Sequence, residues 1–435
     1  EADSNTVSAR PWVTLRRTVL LALAAWLLWQ VLAVNMAEHR LAQALEGERD
    51  AIDRALWWRS EHPRALALKG RWLLRDGEPE AAEPWLKRAI RANPADARPL
   101  VDLARVRAQA GDQVVASDML DTASQLMPAN SGVQHLIGLY WLEHGELARA
   151  VGHIGTALKG DPALRELYFP LLMGVADVPE LRSALEPFAL EPPVWWRAFF
   201  AYTASNASSA DTLGALVALR TLSPSEPLQA REHELYLQRL RRDGRVDEAF
   251  LHWVNGLQSE QLQELGYVFN GSFERPLLNA GFGWFSNVPR NTGFQIATGS
   301  TFGVLGQRAL RLNFNGTRAR FNHLYQYLFL GAGDYEVSGM VRLDGLLARR
   351  GLQWRVQCSA GGTELLGESE LLQGTSDWRR FGFNISVPAG CNGQLLRLYS
   401  AGNREVDHEL SGGIWFDDLR IQRHAASPSA EGESP

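Results

Sequence analysis

The chain has 435 residues, more than one ordinary hydrophobic core holds, so its length predicts about two to four domains. Its 44 basic and 49 acidic residues give a formal net charge of −5. This balance lacks the basic excess that neutralises nucleic-acid phosphates. We therefore expect no nucleic-acid partner.

The first predicted element is an apolar helix. Residues 18–34 contain Thr18 and Gln30 as their only polar residues. As a helix they reach roughly 26 Å, close to the thickness of a bilayer core. We predict a transmembrane helix over residues 18–36, with residues 1–17 in the cytoplasm because Arg16 and Arg17 precede the apolar run. A cleaved signal peptide is the alternative, since Val31-Leu32-Ala33 offers a small-residue cleavage site.

The middle of the chain repeats with a period of 34 residues. Pro94, Pro128 and Pro162 have this spacing. It recurs in three columns of small residues: Gly77, Gly111 and Gly145; Ala82, Ala116 and Ala150; Ala89, Ala123 and Ala157. Glycine permits a tight turn between two helices, alanine lets helices pack closely, and proline ends the second helix.

These columns make residues 61–162 resemble the tetratricopeptide repeat (TPR) family. The turn and alanine pattern returns at Gly244 and Ala249, so we predict a helical array over residues 37–262. The resemblance implies a solenoid whose exposed face binds protein partners. Arg71, Arg105 and Arg107 lie on predicted first helices. They are either a peptide clamp or a solvated charged face, and the pattern favours the charged face.

From Leu265 the sequence is rich in glycine and aromatic residues and alternates between apolar and polar positions. The alternation is clearest at 335–341, 352–356, 381–387 and 395–399. Short alternating segments between turns predict an antiparallel two-sheet β-sandwich, a jelly roll, over residues 265–423. Residues 424–435 have the small and polar composition of a disordered tail.

The sandwich also contains an ordered series of motifs: Asn270-Gly271-Ser272-Phe273-Glu274, Gly283-Trp284, Trp378-Arg379-Arg380-Phe381 and Ile414-Trp415-Phe416-Asp417-Asp418. This series resembles the jelly-roll carbohydrate-binding modules found beside bacterial polysaccharide hydrolases. The resemblance implies sugar contact through exposed aromatic rings backed by polar groups. The candidate rings are Trp354, Tyr325, Tyr327 and Tyr399, and the candidate donors are Gln326, Arg355 and Arg397. Each ring has a core-filling alternative, and related sandwiches also act as spacers.

The same resemblance implies a structural calcium ion. In the family it is held by a glutamate of the opening motif and an aspartate of the closing one, here Glu274 and Asp417 or Asp418. Alternation also places Asp417 on the face of Leu419 and Ile421, where a carboxylate needs a cation or hydrogen-bond donors. Calcium and hydrogen bonding to the backbone remain equal alternatives.

Both cysteines of the chain, Cys358 and Cys391, lie in the predicted sandwich. We predict that they form a disulfide, which requires the oxidising side of a membrane. Two separate buried thiols are the alternative.

The sequence has no recognisable catalytic centre. No segment remains for a glycosidase domain, and neither a nucleophile elbow nor zinc-ligand spacing is present. We expect a non-catalytic protein of the bacterial inner membrane whose bulk is periplasmic. It is either an accessory factor for surface or exopolysaccharide assembly or export, or a protein-interaction scaffold of an envelope complex. Polysaccharide polymerases and ligases can carry C-terminal helical repeats, so the C-terminal part of such an enzyme is a further alternative.

Overall fold

The computed structural model describes residues 11–223, 227–286, 288, 293–300, 306–318, 320–402 and 404–424. The chain divides into two compact units. The first comprises Glu1–Phe188 and Pro192–Trp196, and the second comprises Ala189–Glu191 and Arg197–Pro435. Of the two predicted termini, residues 1–10 and 425–435 lie outside the described residues.

The chain up to residue 262 is helical. Its helices are α1 Pro11–Leu45, α2 Ala51–Trp58, α3 Pro63–Arg75, α4 Pro79–Ala92, α5 Arg98–Gln109, α6 Gln113–Leu126, α7 Ser131–Glu143, α8 Leu147–Gly160, α9 Arg165–Asp177, α10 Glu186–Leu190, α11 Trp196–Asn206, α12 Ala210–Thr221, α13 Ala230–Arg242, α14 Val246–Asn255 and α15 Ser259–Leu262. Short 3-10 helices occur at Pro162–Leu164 and Pro179–Leu185.

Helix α1 is long and apolar enough over Leu15–Leu45 to cross a membrane, a criterion that an N-terminal signal sequence also meets. Large apolar side chains such as Leu21 and Leu28 are exposed along its first half. The predicted segment 18–36 lies inside this helix, and residues 11–17 are helical as well. The helix continues without a break to Leu45.

Three helix pairs follow the predicted period: α3 with α4, α5 with α6, and α7 with α8. Gly77, Gly111 and Gly145 occupy the turns inside the pairs with φ of +85°, +87° and +76°. Glycine adopts this left-handed conformation without strain, which explains the column. The alanine columns are buried where the paired helices touch. The sequence pattern therefore placed both the turns and the packed faces of these pairs.

The three arginines noted in the sequence lie on the first helix of a repeat pair and form ion pairs with neighbouring helices. Arg71 lies 2.9 Å from Asp102 of α5. Arg105 lies 3.4 Å from Glu143 of α7, and Arg107 pairs with Glu83 of α4. Burial raises the pKa of the Asp102 carboxyl, and the guanidinium of Arg71 opposes this effect. These contacts match the charged-face interpretation, because each guanidinium already has a carboxylate within the array.

Within its described residues, the remainder of the second unit contains ten strands: β1 Trp284–Ser286, β2 Phe294–Ser300, β3 Arg308–Arg318, β4 Leu324–Leu328, β5 Gly333–Ala348, β6 Leu352–Ala360, β7 Leu365–Glu368, β8 Gly374–Val387, β9 Gly393–Ser400 and β10 Glu409–Arg423. They form two five-stranded sheets, ordered β1-β4-β9-β6-β7 and β2-β3-β10-β5-β8. All strand pairs are antiparallel. The predicted two-sheet antiparallel sandwich is confirmed.

The disulfide prediction is also confirmed. Cys358 of β6 is bonded to Cys391, which precedes β9, with their Cα atoms 5.7 Å apart. Both residues are buried in the sandwich core. The alternative of two separate thiols is wrong, because neighbouring strands β6 and β9 bring the two residues together.

Helices α13 and α14 pack directly on the sandwich within the second unit. The ring of Trp253 lies 5.1 Å from that of Phe269, and Phe250 lies 5.2 Å from Phe329. The carboxylate of Glu234 accepts a hydrogen bond of 2.6 Å from the backbone N–H of Gly281. The compact unit that holds the sandwich therefore includes the last helices of the array.

Candidate functional site

The sheet β1-β4-β9-β6-β7 carries a row of aromatic and charged residues on its outer face. Its register aligns Phe285, Tyr325, Arg397, Arg355 and Glu368 across all five strands. Neighbouring strands are about 4.8 Å apart, so the row is about 19 Å long. Residues in the opposite phase point into the core, including Leu324, Trp354, Val356 and Leu398. We call the surface formed by Tyr325, Tyr327, Arg355, Arg397 and Tyr399, with the buried ring of Phe285 supporting one end, the aromatic face.

Rings and guanidinium groups stack on one another along the aromatic face. The rings of Phe285 and Tyr325 are parallel, with centroids 5.0 Å apart. Tyr327 meets Tyr325 edge-on at 5.8 Å. The guanidinium of Arg397 lies 5.1 Å from the Tyr325 ring centroid, and that of Arg355 lies 3.8 Å from the Tyr399 centroid. These contacts hold the side chains in fixed positions while the three tyrosines remain partly exposed.

Hydrogen bonds fix the polar part of the face. Arg355 pairs with Glu368 at 2.9 Å. The amide oxygen of Gln353 accepts hydrogen bonds from Arg355 at 3.4 Å and from the Tyr399 hydroxyl at 3.3 Å. Burial lowers the pKa of the Arg355 guanidinium, and the charge of Glu368 opposes that effect. The face thus offers oriented donors and acceptors beside ring surfaces, the combination that binds a ligand with apolar faces and hydroxyl groups.

Just before β4, the partly buried ring of His323 packs 4.9 Å from Phe294 and 5.7 Å from Phe321, two core residues, at the edge of the aromatic face. Burial lowers the pKa of this imidazole, and the positive charge of Arg397 lowers it further. Both effects favour the neutral imidazole, which donates one hydrogen bond and accepts another.

Three of the four predicted platform residues, Tyr325, Tyr327 and Tyr399, lie on this face together with Arg355 and Arg397. The prediction for Trp354 is wrong, because β6 directs it inward with Leu352 and Val356. Its fully buried ring packs 5.7 Å from Trp284 and 5.1 Å from Phe416.

The predicted donor Gln326 is also buried, and its amide bonds to the backbone of Phe269 at 3.0 and 2.9 Å. It is therefore unavailable to a ligand. Sequence reasoning missed Glu368, and it missed Phe285, whose buried ring supports Tyr325 from below and is not itself open to a ligand. The alternation of β1 would have found Phe285, because its neighbour Trp284 occupies the core.

One end of the aromatic face is bounded by a helix. The guanidinium of Arg241 in α13 lies 4.3 Å from the ring centroid of Tyr327. Beyond it, a mainly apolar cavity of about 690 Å³ lies between α14 and the sandwich, with Phe250, Trp253 and Phe329 in its wall. The β7 end of the face carries the Arg355–Glu368 pair, whose side chains are about two-fifths exposed. A ligand therefore has access from the β7 end.

The outer face of the other sheet is polar and differs in character. A hollow of about 700 Å³ lies above the row Gln295, Asn313, Gly413 and Asp344. Beside it, Arg311 lies 4.9 Å from the ring centroid of Trp415. This arginine-stacked ring lies on the other sheet, away from the aromatic face, so it serves as a control.

The predicted calcium ligands already have protein partners. One carboxylate oxygen of Glu274 accepts hydrogen bonds from the backbone N–H groups of Gln307 and Arg308, both at 2.8 Å. Asp417 is fully buried and accepts a hydrogen bond of 2.7 Å from the N–H of Asp418. The Asp418 carboxylate pairs with Arg420.

Within the described part of the chain, no group of three or more His, Cys, Asp or Glu residues is placed to hold a metal ion. A calcium ion at Glu274 and Asp417 would therefore need backbone or water oxygens to complete its shell. Calcium stays a prediction.

Comparisons with known proteins find no matching family model and no matching curated protein. Similar solved structures include a CBM4 carbohydrate-binding module, with 16% identity and a TM-score of 0.27, covering 36% of this chain and 99% of that one. The CBM22-1 xylan-binding domain from Paenibacillus barcinonensis Xyn10C has 17% identity and a TM-score of 0.26, covering 36% and 94%. TmCBM61 in complex with β-1,4-galactotriose has 18% identity and a TM-score of 0.26, covering 37% and 99%. These likenesses concern the fold, and the two-sheet architecture follows from the strand order given above.

Proposed function

We propose that this chain is a non-catalytic, membrane-anchored envelope protein whose sandwich binds glycan on the aromatic face. Its helical repeats bind protein partners, and the whole serves the assembly or export of a surface polysaccharide or exopolysaccharide. The observation that carries the proposal is the row of Phe285, Tyr325, Arg397, Arg355 and Glu368 across one sheet.

A sugar ring has an apolar face of C–H groups and a rim of hydroxyls, so it needs both kinds of contact at once. Tyr325 and Tyr399 supply ring surfaces for the first. Arg397 and Arg355 supply donors for the second, and the partly exposed carboxylate of Glu368 supplies an acceptor. The face carries two guanidinium groups, of Arg355 and Arg397, and one carboxylate, of Glu368. This excess of positive charge also favours a sugar that carries an acidic substituent.

Two observations support an extracytoplasmic location on a membrane. Helix α1 meets the length and composition of a spanning helix, and Arg16 and Arg17 stand before its apolar segment. The Cys358–Cys391 disulfide fits the oxidising side of that membrane. We propose a retained signal anchor, with the periplasm of a bacterium as the compartment.

The 34-residue helix pairs support a TPR assignment for the array. Because Arg71, Arg105 and Arg107 are engaged in ion pairs between helices, partner recognition would depend on other residues of the exposed face. Two alternatives keep the anchor and the repeats but leave the aromatic face without a ligand. One is a structural scaffold, and the other is the C-terminal part of a polysaccharide polymerase or ligase.

A glycan array probed with the full chain in detergent tests the proposal. We expect binding to at least one class of bacterial surface polysaccharide, with acidic glycans ahead of neutral ones. Tyr399→Ala is expected to weaken binding about tenfold, because a stacking contact worth about 1.4 kcal/mol is removed. Trp415→Ala removes an arginine-stacked ring from the other sheet and should leave binding unchanged. A chain that binds no glycan, or loses binding equally in both variants, would contradict the proposal.

We also propose that calcium stabilises the sandwich by joining its opening and closing motifs at Glu274 and Asp417. Occupancy at a hundredfold excess over the dissociation constant should add about 2.7 kcal/mol to the free energy of unfolding. Chelation should therefore lower the melting temperature of the wild type, and Asp417→Ala should abolish the effect of the chelator. If metal analysis finds no calcium and the chelator changes nothing, the hydrogen bonds to Glu274 and Asp417 are the whole explanation.

A further inference from the structure

The end of α2 presents tryptophans beside the apolar helix. Trp57 is 73% exposed although its indole is one of the largest side chains of the first unit. Its ring meets that of Trp58 edge-on at 4.9 Å. The Trp58 ring in turn lies 5.7 Å from that of Trp29 in α1. The exposed Trp57 is thus joined through the partly buried Trp58 to the apolar part of α1.

The packing of α1 on α2 explains this position. The buried side of α1 is formed by Ala33, Ala37, Leu41 and Ala44, and the buried side of α2 by Ala51, Ile52, Ala55 and Leu56. Trp29 lies one turn before Ala33 on the same side of α1. Since α2 follows a short turn after Leu45, it runs back along α1 and its last residues reach Trp29.

The surface of α1 changes from apolar to charged between Trp29 and Glu38. Its dense run of exposed large apolar residues ends at Val34; Asn35, Glu38 and His39 follow, and only Leu45 is exposed and apolar beyond them. Glu38 contacts His62 at 3.2 Å and Arg64 at 3.3 Å. Trp29 and Glu38 are nine residues apart, about 13 Å along a helix. That distance spans the headgroup layer on one side of a bilayer, which is roughly 5 to 8 Å thick.

We propose that Trp57 and Trp58 bind the interfacial layer of the phospholipid bilayer and hold α1 and α2 against the membrane. The inference rests on the membrane anchor of the proposed function. Indole suits this layer because its apolar body contacts acyl chains while its N–H bonds to lipid oxygens. Arg59 follows, exposed and without an ion pair inside the described ranges, so its guanidinium is available to lipid phosphate.

This contact would fix the angle at which α1 leaves the membrane. A chain anchored by one helix alone can rotate at the membrane surface, whereas a second contact on α2 restrains the α1–α2 pair. The proposal concerns lipid as the occupant, and a protein partner at Trp57 is an outcome that the experiment separates.

Spin labels at single introduced cysteines test the position of Trp57, because Cys358 and Cys391 are bonded to each other. The full chain is reconstituted in vesicles of palmitoyl-oleoyl phosphatidylcholine. Accessibility to oxygen, which enters lipid, is compared with accessibility to a water-soluble nickel chelate. The labelled variants are Trp57→Cys, Leu21→Cys as the lipid reference and Val114→Cys as the water reference. All three positions are at least 70% exposed, so substitution leaves the core intact.

We expect an oxygen-to-nickel ratio at position 57 several-fold above that at 114 and below that at 21. A label at Arg59→Cys, which keeps both tryptophans, should give a similar intermediate ratio and move towards water when Trp57→Ala is added. Equal ratios at 57 and 114, with 21 in lipid, would overturn this inference and leave the anchor standing. A label at 21 that is also in water would instead refute the anchor itself. Protection at 57 from both reagents would indicate a protein partner and overturn the lipid contact.

Discussion

Cys391→Ala is expected to lower the free energy of unfolding of the second unit by about 3 to 4 kcal/mol, the value for closing a loop of this size. The bond joins residues 33 apart in the sequence. Between them the chain leaves the first sheet, passes through β8 of the other sheet and returns to β9. The bond therefore restrains the segment that crosses between the two sheets, and its loss frees that segment in the unfolded state.

Chemical denaturation under oxidising conditions measures the effect, with Cys358→Ala and the double variant alongside. If the bond is responsible, each single variant loses about as much as the double variant, because either substitution removes the same bond. Single losses that add up in the double variant would assign the effect to side-chain packing in the core instead.

Glu234→Ala is expected to cost about 3 to 5 kcal/mol, because it removes one partner of a buried ion pair. The side chains of Glu234 and Arg241 are 7% and 9% exposed and lie 3.1 Å apart. Glu234 also accepts the backbone N–H of Gly281, and Arg241 donates to the carbonyl oxygen of Gly281 at 2.9 Å. The substitution leaves the Arg241 charge and the Gly281 N–H without the acceptor that now satisfies them.

Urea denaturation followed by tryptophan fluorescence checks this, with Glu370→Ala as the matched control. Glu370 pairs with Arg379 on the surface, where both side chains are more than one-third exposed, so its loss should cost no more than about 1 kcal/mol. Glu234→Gln keeps a hydrogen-bond acceptor and should fall between the two. Equal losses for Glu234→Ala and Glu370→Ala would mean that α13 does not stabilise the sandwich.

The local patterns of the sequence predicted the helix pairs and the strands well because both depend on short spacings. Gly77, Gly111 and Gly145 occupy turns that require a positive φ. The tyrosines of β4 were placed on one face because Tyr325 and Tyr327 alternate with Leu324, Gln326 and Leu328, which are buried. In both cases neighbours within a few residues decide the conformation.

The wrong prediction for Trp354 and the unpredicted packing of the last helices have different causes. Trp354 is in phase with Leu352 and Val356, so the alternation of β6 already indicated a core position. Its aromatic character made it a sugar-binding candidate in spite of that pattern. The packing of Trp253 and Glu234 on the sandwich could not be predicted, because contacts such as Glu234 with Gly281 join residues 47 apart. No local period encodes a contact of that kind.

We expect the aromatic face to be the surface that binds glycan. Hydroxyl-radical footprinting of the unsubstituted full chain, with and without the glycan that the array selects, tests it most directly. Binding on the aromatic face should reduce the oxidation of Tyr325 and Tyr399 and leave Trp415, on the other sheet, unchanged. Protection of Trp415 with unchanged tyrosines, or no protection at saturating glycan, would contradict the claim.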